Sequence, residues 1–272
     1  MEKNKNKIIF FMPSIDGGGV EKNLFIISNY IRKKINNVSI VTFDKKFKKF
    51  FNDKIEIISV DNIENNKNYS KYYKYLKCIN LLMKEYYKNK NILVIAFQAN
   101  IYAVILAFFF NFKIICRSNS SPTGWGHNIF KKFVFKFFYK YADEIIVNSK
   151  DFQNEFKRRF NLNTSCIYNP LDKNRIVNLS KKKIKFDFFN NKKYLNIINI
   201  ARFTDQKDHL TLLKCFKNLN NKIKSKLVII GYGQNKSKME YFVKENKLVK
   251  NVKILDFKKN PYPYIKKSDL FI

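Results

Sequence analysis

The sequence predicts an α/β protein built from two doubly wound, parallel-sheet domains. Three observations predict it. Short runs that are apolar at every position recur, such as "KIIFFMP" (7–13) and "ILVIAF" (92–97). Segments with apolar residues at helical spacing separate them. The alternation lapses once, over 172–193, and then restarts. Strands apolar on both faces belong to a sheet covered on both sides, and strands alternating with helices make that sheet parallel.

In the first domain (1–172), "KIIFFMP" is a strand, and Val20, Leu24, Ile27 and Ile31 then fall on one helical face. "VSIVTF" (38–43) and "IEIISV" (55–60) are strands. A helix over 70–88 places Tyr72, Leu76, Ile79 and Met83 on one face. "ILVIAF" is the next strand and 100–110 a buried helix. "KIICRS" (113–118), "EIIVNS" (144–149) and "SCIYNP" (165–170) are further strands. Residues 173–193 are Lys-rich, without apolar period, and read as a linker. The second domain (194–272) runs strand 195–201, helix 208–219, strand 226–231, helix 235–247, strand 252–257, a short helix 261–267 and "DLFI". An open parallel edge is a liability, so that last strand reads as cut short.

The formal charge is +33, carried by 48 lysines and only six arginines, at 32, 117, 158, 159, 175 and 202. Nucleic-acid readers rely on arginine for bidentate contacts, so this balance speaks against specific nucleic-acid binding. A solvated lysine surface and attraction to an anionic membrane remain as readings. The cysteines (78, 116, 166, 215) form no C-x-x-C pair, and with His127 and His209 alone they assemble no local metal set. Residues 1–7 are polar, and "YAVILAFFF" (102–110) is about half the length that spans a bilayer. The expectation is a cytoplasmic protein that touches the inner face of a membrane.

Several loops follow strands, where doubly wound sheets hold ligands. "SIDGGGVEKNLF" (14–25) carries Gly17, Gly18 and Gly19 into a helix N-terminus, a phosphate-compatible turn without the dinucleotide spacing. "ARFTDQKDH" (201–209) repeats the geometry: Arg202 is able to fork onto phosphate oxygens and Lys207 adds a point charge, while Asp205 or Asp208 caps the helix. A surface lysine and an arginine paired with a carboxylate fit the spacing equally well. "IIGYGQNK" (229–236) offers Gly231 and Gly233 either as turn residues or for close ligand approach. "CRSNSSP" (116–122) brings Arg117 and Asn119 to a strand end, as ligand contacts or as a capped loop. "HNIFKKFVFKFFYKYAD" (127–143) sets Ile129, Phe130, Phe133, Val134, Phe137, Phe138 and Tyr141 on one face and Lys131, Lys132, Lys136 and Lys140 on the other. That amphipathic helix packs on the sheet or lies in a membrane interface.

"GGGVEKNL", "YNPLD" (168–172), "ARFTDQKDHLTLLKCF", "KLVIIGYGQ" and "NVKILDFKKNPYPYIKKSDLFI" together resemble the retaining nucleotide-sugar glycosyltransferases of family four (glycosyl transferases group 1). The resemblance implies two Rossmann-like domains facing a cleft (the GT-B fold) and hexosyl transfer from a nucleotide-diphosphate sugar. It implies a lipid-linked or surface-polysaccharide (capsule or lipopolysaccharide) acceptor, held by the first domain. Arg202 and Lys207 would hold the donor diphosphate, with Gly17–Gly19 closing over it. Gly231, Gly233, Phe257 and Lys258 would face the nucleotide, and Arg117 and Asn119 the acceptor or sugar. Neither metal nor other cofactor is implied, because cations and helix dipoles stabilise the leaving diphosphate. Many relatives carry a histidine where this chain reads Arg117, Ser118 and Asn119.

The family's signature, a glutamate, seven residues and a second glutamate, follows the strand at which this sequence ends. The alternatives are therefore an inactive truncated remnant or a basic module that binds anionic polymer or membrane. The expectation is that the 272-residue chain has little or no transferase activity. Turnover of a nucleotide sugar at about 1 per second by the purified chain would contradict it.

Overall fold

The computed structural model describes residues 6–15, 18–61, 63, 69–120, 122, 129–191 and 193–272, with backbone only for 129–132. The chain divides into two compact units, Met1–Leu171 and Asp172–Ile272.

The first unit runs β1 (Lys7–Phe11), α1 (Gly19–Arg32), β2 (Val38–Val41), β3 (Glu56–Ile58), α2 (Lys71–Lys88), β4 (Ile92–Ala96), α3 (Asn100–Phe110), β5 (Lys113–Ser118), α4 (Ile129–Tyr139), β6 (Glu144–Val147), α5 (Lys150–Phe160) and β7 (Ser165–Cys166). All seven strands are parallel, in the order β3-β2-β1-β4-β5-β6-β7. The order reverses between β1 and β4, the point where such sheets open a crevice at their carboxyl ends. Alternate side chains serve opposite layers. Ile9 and Phe11 join Cys78, Leu82, Val104 and Phe156 in one core, and Ile8 and Phe10 join Leu24, Phe25 and Ile40 in the other.

The second unit runs α6 (Lys173–Ser180), β8 (Leu195–Ile200), α7 (His209–Asn220), β9 (Ser225–Gly231), α8 (Lys236–Glu245), β10 (Val252–Asp256), α9 (Tyr262–Lys266) and β11 (Leu270–Phe271). Its four strands are parallel, in the order β10-β9-β8-β11. Ile197, Leu227 and Ile229 pack against Leu213, Phe216, Met239 and Val243. Ile198, Val228 and Ile230 pack against Phe186 and Phe189.

The structure differs from the sequence reading at four places. The stretch 173–193 opens with α6 and then supplies Phe186 and Phe189 to the second core, so it is part of that unit. Isolated aromatics in irregular backbone carry no period, which hides them. The buried stripe of α2 is Tyr75, Cys78, Leu82 and Glu85, with Tyr72 and Leu76 exposed. Helix α4 buries Tyr139 and partly buries Phe135 and Phe138, leaving Phe133 and Phe137 of the expected core face exposed. Helix α5 has apolar residues only at Phe152, Phe156 and Phe160, a stripe of one residue per turn in a charged run; Ser149 caps it by accepting from the Phe152 N–H at 3.2 Å.

The amino edge of the first sheet is closed by charge. Lys7 Nζ lies 2.7 Å from Glu85 Oε2 and 2.8 Å from Glu56 Oε2, and Lys88 Nζ lies 2.6 Å from Glu85 Oε1. Burial acts to raise the Glu85 pKa, but hydrogen bonds from Lys7 and Lys88 outweigh it and hold the group below its ordinary value. The hydrogen bond from Lys7 lowers Glu56 likewise. Carboxylates depressed in the folded state contribute stability that is complete above the ordinary value of 4.5 and lost as pH falls through the folded value. Glu85→Gln should cost about 2 kcal/mol at neutral pH. It should also flatten the loss of stability below pH 4.5. Chemical denaturation of both proteins across pH 3–7 measures this.

Candidate functional site

In the second unit, Gly231 ends β9, and Arg202, Lys207, Gly233, Phe257 and Lys258 follow the carboxyl ends of parallel strands, so all six share one sheet edge. The loop after β8 is fixed through Phe203, whose side chain is fully buried. Its N–H donates to the Tyr232 carbonyl at 2.7 Å, and its carbonyl accepts from the Asn235 N–H at 3.1 Å. A Cβ on Gly231 would lie 1.9 Å from the Ala201 carbonyl oxygen, and one on Gly233 would lie 2.4 Å from that of Phe203. Gly233 also has φ +147°. Both glycines therefore serve the approach of one loop to the other.

On this pinned backbone Arg202 and Lys207 are exposed. Asp205 is taken by Asn235, whose Nδ2 donates to Oδ1 at 2.8 Å. Asp208, in the left-handed region at φ 41°, caps α7 by accepting from the Thr211 N–H at 3.3 Å. Among the described residues neither Arg202 nor Lys207 forms an ion pair. Two cations thus stand free beside a helix N-terminus, the arrangement that attracts an anion.

Sequence reasoning passed over His209 and Tyr232. His209 is 3% exposed, sits edge-on to Phe203 (5.3 Å, 85°), and neither ring nitrogen has a partner. Burial lowers its pKa, so it stands neutral as a brace behind the loop. Tyr232 lies perpendicular to Phe257 at 5.9 Å, and both rings are largely exposed. Lys258 is half-buried beside them. The clue to this pair was spatial, since β9 and β10 are neighbours.

In the first unit, Gly17 lies outside the described residues, as does His127. Gly18 is the N-cap of α1 in extended backbone with no side-chain cap, and a Cβ on Gly19 would meet nothing within 4 Å. Glu21, in the first turn, already brings a carboxylate near this end: its Oε2 lies 2.8 Å from a Cβ placed on Gly18. Arg117 is buried at the end of β5, where its Nη2 donates to the Ile167 carbonyl at 3.3 Å and to Asn169 Oδ1 at 3.0 Å. Asn119 turns inward, its Nδ2 donating to the carbonyls of Phe97 and Arg117, both at 3.3 Å.

Other chemistries find little support. The Cys78 thiol is pushed up to about 12 by burial, and burial raises Cys116 too, so neither is a ready nucleophile. Among the described residues no cluster of three or more His, Cys, Asp and Glu could hold a metal, and no helix is long and apolar enough to cross a membrane. A groove of about 430 Å³ lies at the amino edge of the first sheet, lined by Asp143, Glu144, Asn163, Thr164 and Ser165. It contains none of the sequence-predicted site residues, and parallel sheets of this order bind ligands at the opposite edge.

Comparison with known proteins identifies the family and the fold. Residues 17–175 match the Glycosyltransferase Family 4 model and residues 180–272 the Glycosyl transferases group 1 model. An uncharacterized glycosyltransferase of Methanocaldococcus jannaschii is 32% identical over 60% of this chain and 42% of its own length. The Campylobacter jejuni N-acetylgalactosamine-N,N'-diacetylbacillosaminyl-diphospho-undecaprenol 4-alpha-N-acetylgalactosaminyltransferase is 28% identical over 53% of this chain and 38% of its own. The chain thus spans less than half the length of these relatives. The crystal structure of HepE from Anabaena in complex with UDP superposes with a TM-score of 0.73 at 16% identity, covering 97% of this chain and 73% of that one. The fold is the two-Rossmann GT-B architecture, and the chain belongs to glycosyltransferase family 4.

Proposed function

We propose that this protein transfers a hexose, with retention, from a nucleotide-diphosphate donor to a lipid-linked or surface-polysaccharide acceptor. The observation that carries the reading is the β8–α7 loop. A backbone pinned on both sides holds Arg202 and Lys207 free at a helix N-terminus, where a diphosphate finds two cations and unpaired N–H groups. The Tyr232–Phe257 pair on the same edge offers an aromatic surface to the base, with Lys258 beside it. Structural neighbours were crystallised with UDP, which makes UDP the probe of choice. Arg202→Ala should weaken UDP binding by about tenfold or more, and Lys207→Ala by less, in calorimetric titration. Equal affinity of wild type and the double variant would remove the diphosphate assignment.

The lipid-linked acceptor is supported by the Campylobacter relative's name and by one surface. Phe108, Phe109, Phe133, Phe137 and Tyr141 form an exposed aromatic group on α3 and α4 and the turn after α4. Lys140 lies over Phe137 at 4.5 Å and over Tyr141 at 4.9 Å. Aromatic rings interleaved with lysine suit the interface of an anionic bilayer. The protein should co-sediment with phosphatidylglycerol-containing vesicles at low salt, and Phe133→Ser with Phe137→Ser should reduce the bound fraction several-fold. Retention on purely neutral vesicles to the same extent would argue against this surface.

A further inference from the structure

Arg117 presents an unbalanced charge. The residue is 3% exposed, and both of its hydrogen bonds come from Nη2 and go to neutral acceptors, Ile167 and Asn169. Its Nε is buried without a partner. The guanidinium carbon lies over the Phe97 ring, 5.9 Å from its centre. Among the described residues no carboxylate pairs with it, and its burial opposes the cation. A buried cation with only neutral partners is costly, and an anion that arrives with a ligand is its natural complement.

The groups around it are unsatisfied in the opposite sense. Asn100 and Asn119 donate through Nδ2 to the Arg117 carbonyl, at 3.0 and 3.3 Å. The Oδ1 of each is buried with no partner among the described residues, while the Asn100 side chain also hydrogen-bonds Tyr139. Asn100 also opens α3, an 11-residue helix with no side-chain cap, after Ala99 at φ 58°. Strain of that kind in a non-glycine residue concentrates at ligand sites. One unpaired cationic donor, two unpaired acceptors and an uncapped helix start thus meet at the carboxyl edge of β4 and β5. A ligand that satisfies them carries an anionic group and hydroxyls that donate.

We propose that Arg117, Asn100 and Asn119 form a binding site for an anionic sugar. Arg117 takes its carboxylate or phosphate, and the asparagine oxygens take its hydroxyl donors. This rests on the reading of the protein as a glycosyltransferase, in which that sugar belongs to the acceptor.

The 272-residue chain is titrated with glucuronate, glucose 1-phosphate and neutral methyl glucoside by ligand-observed NMR, with and without UDP. Wild type should bind at least one anionic sugar about tenfold more tightly than the neutral one, in both conditions. Binding of glucuronate alone identifies a carboxylate, of glucose 1-phosphate alone a phosphate, and of both the charge they share. Asn169→Asp places a carboxylate 3.0 Å from Nη2 without changing shape. It should raise the melting temperature, abolish the anionic preference and leave UDP affinity unchanged. Equal binding of all three sugars to wild type, or an anionic preference that persists in Asn169→Asp, overturns the proposal. Failure to bind UDP with the preference intact would instead count against the donor reading.

Discussion

The second unit depends on how the main chain of Phe203 is held. Its N–H and its carbonyl are both taken by the neighbouring Tyr232–Asn235 segment, and its ring is sealed between Gly231 and His209. Two loops that follow adjacent strands are thereby locked together. The residue before Phe203 and the turn after it carry the free cations. Side chains that must meet a polyanion gain from a fixed backbone, because less freedom is lost on binding. Gly231 is needed because only hydrogen fits there, beside the Ala201 carbonyl and the Phe203 ring.

The first unit distributes its charges differently. At the amino edge of the sheet, Lys7 is met by two carboxylates, and Glu85 by two ammonium groups. At the carboxyl edge, Arg117 is met by a carbonyl and an amide. Both edges contain buried charge, but among the described residues only the amino edge pairs it with opposite charge. A closed network of that kind specifies packing. An open one leaves a charged group with only neutral partners beside it. The sheet order puts that open edge beside the reversal between β1 and β4.

Most of the fold was legible in the sequence, because buried parallel strands write their own signal. "KIICRS" became β5 without shift, and each strand of the second unit falls within two residues of its expected bounds. Faces of amphipathic helices were harder. In α2 the expected stripe is displaced from the real one, since Glu85 counts as polar in a pattern yet is buried by its ion pairs. In α4 nearly every position is aromatic or lysine, so several faces look apolar. Helix α5 and the aromatics of 173–193 were missed because they anchor through single side chains. Of the site, position along the chain was readable and partnership was not. Arg202 and Arg117 look alike as arginines at strand ends, and only the structure shows one exposed and the other buried.

The scarcity of arginine sharpens that contrast. In a chain with lysine as its ordinary cation, an arginine is informative where a fork is used. Arg32 spans the Lys54 carbonyl and Asn36 Oδ1, at 3.1 Å each, and Arg159 reaches Glu155 at 3.0 Å. Arg117 bridges two acceptors from one nitrogen. Arg158 and Arg175 lie on exposed helix surface, where a lysine would serve as well. Arg202 is also exposed, but its backbone is fixed and the two acidic residues that follow it in sequence already accept hydrogen bonds, Asp205 from Asn235 and Asp208 from its own helix. A guanidinium on a fixed backbone, unpaired with any carboxylate among the described residues, keeps its fork open. The geometry that a guanidinium matches best is a pair of oxygens on one phosphorus or carbon.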